Sequence, residues 1–274
     1  MTAEIVVENV SFVYPDGTHA LADVDLQIPR GHRIAIVGQN GSGKSTLVRH
    51  FNGLLRPTTG RILLDGLDTV GVHVAHLASR VGLAFQNPDR QIFAGRVKAE
   101  VAFGPRNIGM AQVEVEQAVY AALEAVGLTG QADTNPYDLG YSRRKLLALA
   151  SVLAMRTPIV LLDEPTTGQD ARGVARVQKI VSDLADTGRT VIGISHDMRF
   201  VAESFERVVV MRAGRIILDG TPSEVFARES WDALASTYLE PPLPARIGVR
   251  AGVGSTPTDA LLVEALSQRK VAAS

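Results

Sequence analysis

The eight residues GQNGSGKS at 38–45 constrain this chain more than any other segment, because they match the pattern G-x-x-x-x-G-K-[ST] without a mismatch. A triphosphate needs many hydrogen-bond donors in a small space. Glycines let the backbone curl until successive N–H groups point inward, and a helix starting where the loop ends adds the positive end of its dipole. Such a loop needs a buried strand before it and a helix after it. RIAIV at 33–37 is a compact apolar run suited to burial on two faces, and KSTLVRHFNGL reads as a helix closed near Gly53. Gly38, Asn40, Gly41, Ser42, Gly43 and Thr46 are then expected to cradle a nucleotide, with Lys44 reaching its β- and γ-phosphates and Ser45 offering a hydroxyl to Mg2+.

The rest of the chain supplies a matching frame. The first 70 residues read as short strands with turns, including IVVENVSFVY, the turn YPDG, ALADVDLQI and RILLDG, which predict a small antiparallel sheet. From Pro88 to Met155 the texture is helical. Val115, Ala118, Val119, Ala122, Leu123 and Val126 recur at helical spacing before Gly127, and a second helix is expected from Arg143 to Met155. PIVLLD at 158–163, TVIGIS at 190–195 and RVVVM at 207–211 read as strands of a parallel sheet, with a crossover helix over 171–186. The apolar strand ending in Asp163 puts a carboxylate beside the loop, where it can order a magnesium shell. Glu164 follows at the sheet's exit, suited to polarising an attacking water. Beyond Pro222, SEVFARES reads as a capped helix, EPPLPARIG as a rigid linker and TDALLVEALSQ as a short amphipathic helix.

Composition removes several function classes. Lys plus Arg number 28 against 29 Asp plus Glu, so no net positive charge supports nonspecific nucleic-acid binding. The absence of cysteine excludes disulfides, thiol nucleophiles and cysteine-ligated zinc. His73 and His76 have a metal-like spacing but lack cysteine or paired acids nearby. MTAEIVVENV has no basic cluster or long apolar run, and LLALASVLAM at 146–155 is half the length a membrane span needs. A soluble, cytoplasmic chain is expected, reaching a membrane only through a partner.

The order of motifs resembles that of the ATP-binding subunits of ABC transporters, over residues 4–222. Gln86 in LAFQNPDRQIF stands at the family's Q-loop, implied to touch the magnesium–water site and to sense the membrane subunit. His196 in ISHDM stands at the switch histidine, implied to contact the γ-phosphate. Tyr14 in FVYPDG matches the aromatic that stacks on adenine, and TTGQD at 166–170 resembles the D-loop, with Asp170 as its acid and Gln169 where leucine is commoner. The signature motif, usually LSGGQ, departs. Here it reads LGYSRRK at 139–145: Leu139 matches, but Gly140 replaces Ser, Ser142 replaces Gly and Arg143 replaces Gln. That departure puts in doubt the strength of the contact to the ATP of a partner subunit. Ser142 and Arg143 are available to replace the missing donor. The basic run Arg143, Arg144 and Lys145 reads either as a solvated face or as a phosphate-facing cluster.

The resemblance implies an α/β fold with a P-loop NTPase (RecA-like) core, an N-terminal antiparallel β subdomain, a helical insertion and a short C-terminal extension. It divides the chain into an ATP-binding domain over 1–222, with a helical subdomain over 88–157, and an extension over 223–274. The implied cofactors are ATP and Mg2+. FQNPDRQIF and LEPPLPARIG are further similar to the ATPases of energy-coupling-factor importers of vitamins and transition-metal ions. That likeness implies a homodimer, or a heterodimer with a paralogous ATPase, on the cytoplasmic face of the cell membrane. Its expected partners are a transmembrane coupling subunit and a small substrate-binding membrane protein, without nucleic acid. A soluble ABC-type ATPase acting on ribosomes or nucleic acid is the competing class. Such proteins usually carry two cassettes or a coiled-coil insertion, and this chain has one phosphate loop and no heptads.

Overall fold

The computed structural model describes residues 3–272. Strands β1 (Ala3–Val13) and β2 (His19–Pro29) form a hairpin, followed by β3 (Arg33–Val37) and helix α1 (Lys44–Phe51). Next come β4 (Thr59–Leu64), β5 (Leu67–Asp68), α2 (Val74–Ala78) and β6 (Val81–Ala84). Three helices follow: α3 (Val97–Asn107), α4 (Gln112–Val126) and α5 (Tyr141–Ala154). The chain then alternates through β7 (Ile159–Asp163), α6 (Ala171–Asp186), β8 (Thr190–Ile194), α7 (Met198–Ser204), β9 (Arg207–Arg212) and β10 (Arg215–Gly220). Helices α8 (Pro222–Val225), α9 (Trp231–Ala235), α10 (Leu243–Arg250) and α11 (Asp259–Ala272) complete it.

Two sheets organise these elements. One is antiparallel, in the order β2-β1-β4-β5. The other runs β10-β9-β3-β8-β7-β6 and is parallel throughout except for its β9–β10 edge hairpin. The larger sheet separates two hydrophobic cores, and the two-residue period of its strands decides which side chain enters which. Ile34, Ile36, Leu161 and Ile192 join the antiparallel sheet and the α1 residues Leu47, Val48 and Phe51. Ala35, Val37, Leu162 and Val191 face the opposite core, filled from α4, α5, α6 and α7. The phosphate loop is therefore fixed from both sides by a strand with no exposed face.

The helical expectations meet the structure closely. Val115, Ala118, Ala122, Leu123 and Val126 of α4 are buried, and Gly127 ends the helix in the left-handed conformation. Helix α5 begins at Tyr141 rather than Arg143, because Gly140 is the last extended residue and serves as its N-cap. The C-terminal stretch differs more. SEVFARES yields only the one-turn α8, closed by a Thr221–Glu224 capping box, and then a separate 3-10 turn. EPPLPARIG is not a linker throughout: helix α10 starts at Leu243. Pro244 sits in its first turn, where a missing N–H is harmless. Helix α11 packs on α10 but fully buries no residue through Lys270: Leu262 and Ala265 are half-buried, and Leu261, Val263 and Leu266 are exposed.

Candidate functional site

Strands β3, β6, β7 and β8 all deliver their carboxyl ends to one side of the sheet, where a parallel sheet places its ligands. A cavity of about 220 Å³ lies there. Of the residues singled out in the sequence, Tyr14, Asn40, Gly41, Gly43, Lys44, Ser45, Thr46, Gln86, Asp163 and Glu164 line it. Thr18, His19, Ala20 and Ile194 line it too and carried no motif, although 18–20 follow the YPDG turn that Tyr14 begins. Gly38 and Ser42 build the loop from behind. Gly38 has φ of +146°, and a Cβ there would lie 2.2 Å from the Met211 carbonyl oxygen; at Gly43 φ is +102° and a Cβ would lie 2.6 Å from the carbonyl of Ala20. Side chains at either place would collide with backbone.

Lys44 lies in this loop, 8% exposed, and donates from Nζ to the carbonyls of Gly38 at 2.7 Å and Gln39 at 2.8 Å. Burial lowers its pKa, while the negative charges of Glu164 and Asp163 act in the opposite direction. The Asp163 carboxyl is raised by burial and by Glu164. A hydrogen bond from Ser45 and the cations Arg49 and Lys44 hold it down. Ser45, Asp163 and Gln86 thus bring a hydroxyl, a carboxyl and an amide to one wall. That oxygen donor set suits a hard cation such as Mg2+.

Glu164 adopts φ of +52°, a left-handed conformation that costs a non-glycine residue about 1 kcal/mol or more. The surroundings enforce it. Its N–H donates to the Ile194 carbonyl at 2.9 Å, and its own carbonyl accepts from the Lys145 ammonium. Its carboxylate Oε2 accepts from His196 Nδ1 at 2.8 Å and from the Thr167 hydroxyl at 3.3 Å. His196 is otherwise open to solvent. The arrangement aims one carboxylate into the cavity and leaves it paired with a titratable ring, a combination able to accept a proton from water. Tyr14 stands at the rim, its hydroxyl 3.0 Å from Thr46 Oγ1 and its ring packed edge-on against Phe12.

Leu139, Gly140, Ser142 and Asp170 do not line this cavity. Asp170 caps α6 through Gly173 N–H at 2.7 Å. The two departures noted in the sequence meet each other: the Ser142 hydroxyl donates to Gln169 Oε1 at 2.7 Å, and Gln169 Nε2 donates to the Ser142 carbonyl at 3.0 Å. Neither reading of the basic run describes Lys145. It is 6% exposed and bonds the Glu164 and Thr167 carbonyls, which ties α5 to the catalytic-side turn. Arg144 binds the Leu139 carbonyl and Asp89, and only Arg143 is exposed. The sole hint of Lys145's burial was its place immediately before the apolar run LLALA. Next to Gln86, Phe85 turns into a second cavity of about 290 Å³ with Leu54, Val74, Phe93, Phe103 and Met155. Phe93 is 60% exposed and Leu54 50%, so this groove presents apolar surface outward.

Comparison with known proteins bears on the family and the fold. The family model described as ABC transporter matches residues 21–167. The energy-coupling factor transporter ATP-binding protein EcfA2 of Symbiobacterium thermophilum is 47% identical over 82% of this chain and 81% of its own length. A putative ABC transporter ATP-binding protein of Methanosarcina acetivorans is 43% identical over 89% of this chain, which spans only 40% of that relative. Among solved structures, cbiO1 of Clostridium perfringens, described as part of the ABC transporter complex cbiONQ, has a TM-score of 0.76. It is 36% identical and covers 92% of this chain and 100% of its own. A dimeric bacterial ABC transporter cassette has a TM-score of 0.73 at 25% identity, covering 79% of this chain and 98% of its own.

Proposed function

The chain belongs to the ABC transporter family, as an ATP-binding ATPase subunit, and from that premise we propose that it powers an energy-coupling-factor importer of a vitamin or a transition-metal ion. The observation that carries the transport reading is the adjacency of Phe85 and Gln86: one lines the exposed apolar groove, the next the nucleotide cavity. A transmembrane coupling subunit seated in the groove would then feel any movement of Gln86. The relatives' names, energy-coupling factor transporter ATP-binding protein and part of the complex cbiONQ, support that partner. Among the described residues no helix is long and apolar enough to cross a membrane, so a separate membrane subunit suits the assignment.

In this reading the loop N–H groups and Lys44 hold the triphosphate, and Tyr14 faces the base. Ser45, Asp163 and Gln86 would hold Mg2+, which would supply charge neutralisation to the phosphates. Glu164 orients the attacking water and accepts its proton, while His196 keeps the carboxylate aimed and bonds the γ-phosphate. Leu139, Gly140, Ser142 and Asp170 lie off the cavity, and the family resemblance assigns their segments to the nucleotide of a second subunit; Arg143 is the exposed donor there, since the Ser142 hydroxyl already donates to Gln169. The working unit in this reading is a dimer, of two copies or of one copy and a paralogue, at the cytoplasmic face of the membrane, a reading that the dimeric ABC cassette among the similar structures supports. A small substrate-binding membrane protein selects the cargo.

Two measurements test this. Glu164→Gln keeps ATP affinity and lowers turnover at least ~100-fold, as expected for loss of a general base; unchanged turnover refutes the assignment. Mass spectrometry of companions purified with the tagged chain from native membranes identifies the partners. Ribosomes or DNA in place of membrane subunits would overturn the transport reading.

A further inference from the structure

The C-terminal extension reaches the phosphate loop. Thr237 is fully buried, and its Oγ1 accepts a hydrogen bond from the Gln39 N–H at 2.9 Å while donating to the Met211 carbonyl at 3.3 Å. The Gln39 N–H belongs to the same peptide group as the Gly38 carbonyl, and that carbonyl accepts from Lys44 Nζ at 2.7 Å. A peptide group is planar, so fixing its N–H fixes the direction of its C=O. Thr237 and Lys44 therefore hold the two ends of one rigid plate. Behind it the Met211 carbonyl, which also accepts from Thr237, lies so close to Gly38 that a Cβ there would come within 2.2 Å of it.

Thr237 sits in the turn that ends helix α9. Helix α9 ends in a Schellman-type turn, with Leu239 N–H donating to the Leu234 carbonyl at 3.1 Å and Tyr238 N–H to the Ala235 carbonyl at 3.0 Å. Tyr238 takes the left-handed position, φ +57°, which usually falls to glycine, and its side chain is 85% exposed. Leu234 and Leu239 are buried in the main core on either side of the turn and anchor it. The strained residue, Tyr238, thus directly follows the one that presents a hydroxyl to the loop. Thr237 lies 70 residues beyond the part of the chain that the family model matches.

We propose that Thr237 is a positioning residue for nucleotide binding, through which the C-terminal extension sets the orientation of the Gly38–Gln39 peptide and hence of the Lys44 ammonium. The inference rests on the proposed binding of ATP by this loop. The test uses the full-length protein, a fluorescent ATP analogue, and steady-state ATPase kinetics. Thr237→Val keeps the shape and removes the hydroxyl. It is expected to weaken nucleotide affinity and raise KM about 5–10-fold, the scale of one hydrogen bond, with kcat within about twofold of wild type. Thr237→Ser restores both, which a role in packing alone would not predict. Wild-type affinity in Thr237→Val, alongside loss of binding in Lys44→Ala, overturns the inference and leaves the ATP site standing. Wild-type affinity in Lys44→Ala overturns the binding reading itself. If Thr237→Val does not fold, amide hydrogen exchange of wild type decides: the Gln39 amide must be protected at least ~10-fold, and free exchange refutes the proposal.

Discussion

Lys145 offers a measurement in which the sign as well as the size is set by the structure. Its ammonium is buried at the start of α5, and burial pushes its pKa down to about 8, with Glu164 and Asp163 opposing the shift. In the unfolded chain it titrates near its ordinary value of 10.5. Between these two pH values the unfolded state binds more protons than the folded one, so stability attributable to this residue rises with pH. Below the folded pKa the protein carries the full cost of the buried charge, and above it that cost declines. With one pKa unit equivalent to about 1.4 kcal/mol, wild type should gain on the order of 2 kcal/mol relative to Lys145→Met between pH 7 and pH 9.5. The intercept is a separate quantity, because methionine also leaves the Glu164 and Thr167 carbonyls without their donor. The assay is urea unfolding of both proteins, followed by far-UV circular dichroism across that range. Other titrating groups are common to both chains and cancel in the difference. A difference that stays flat within ~0.5 kcal/mol, or that falls with pH, refutes the reasoning.

Two further outcomes follow from backbone geometry near the site. Gly140 has an ordinary φ of −62°, and a Cβ there would meet nothing within 4 Å, so Gly140→Ser fits and improves the α5 cap by a few tenths of a kcal/mol. Its steady-state ATPase rate in the assembled complex should rise less than about tenfold, because the α5 N-terminus and Arg143 already supply positive charge; a larger rise marks the signature as damaged. Gly43→Ala combines a forbidden φ with a clash against the Ala20 carbonyl, so thermal melting should show a loss of about 1–3 kcal/mol and ATP titration a loss of binding. Wild-type behaviour in both assays refutes the stated role of this glycine.

What the sequence made legible was information written within a few neighbouring residues. The phosphate loop, the apolar run before it and Asp163 at a strand end all depend on short-range backbone geometry; the run is the buried strand β3, and the loop and Asp163 meet in one cavity. The helical stripe of α4 was readable for the same reason. Lys145 and Thr237 were not, because their partners are Glu164, Thr167 and Gln39, brought near only by folding. A lysine beside two arginines looks like surface until something across the fold satisfies it. EPPLPARIG misled in the opposite way: its prolines suggested rigidity, whereas Pro244 occupies the one helical turn that tolerates it.

Ser142 and Gln169 carry this argument furthest. Each was visible as a separate departure from a family pattern, one weakening the signature and the other merely unusual. Their two reciprocal hydrogen bonds convert them into a single feature, since a glycine at 142 would lack the hydroxyl and a leucine at 169 would lack both the donor and the acceptor. Together with Lys145 they join the start of α5 to the turn that carries Glu164 and Thr167. The start of α5 and the carboxylate that lines the cavity are thereby held on one framework. The altered signature is bonded into that framework rather than left as a gap in it.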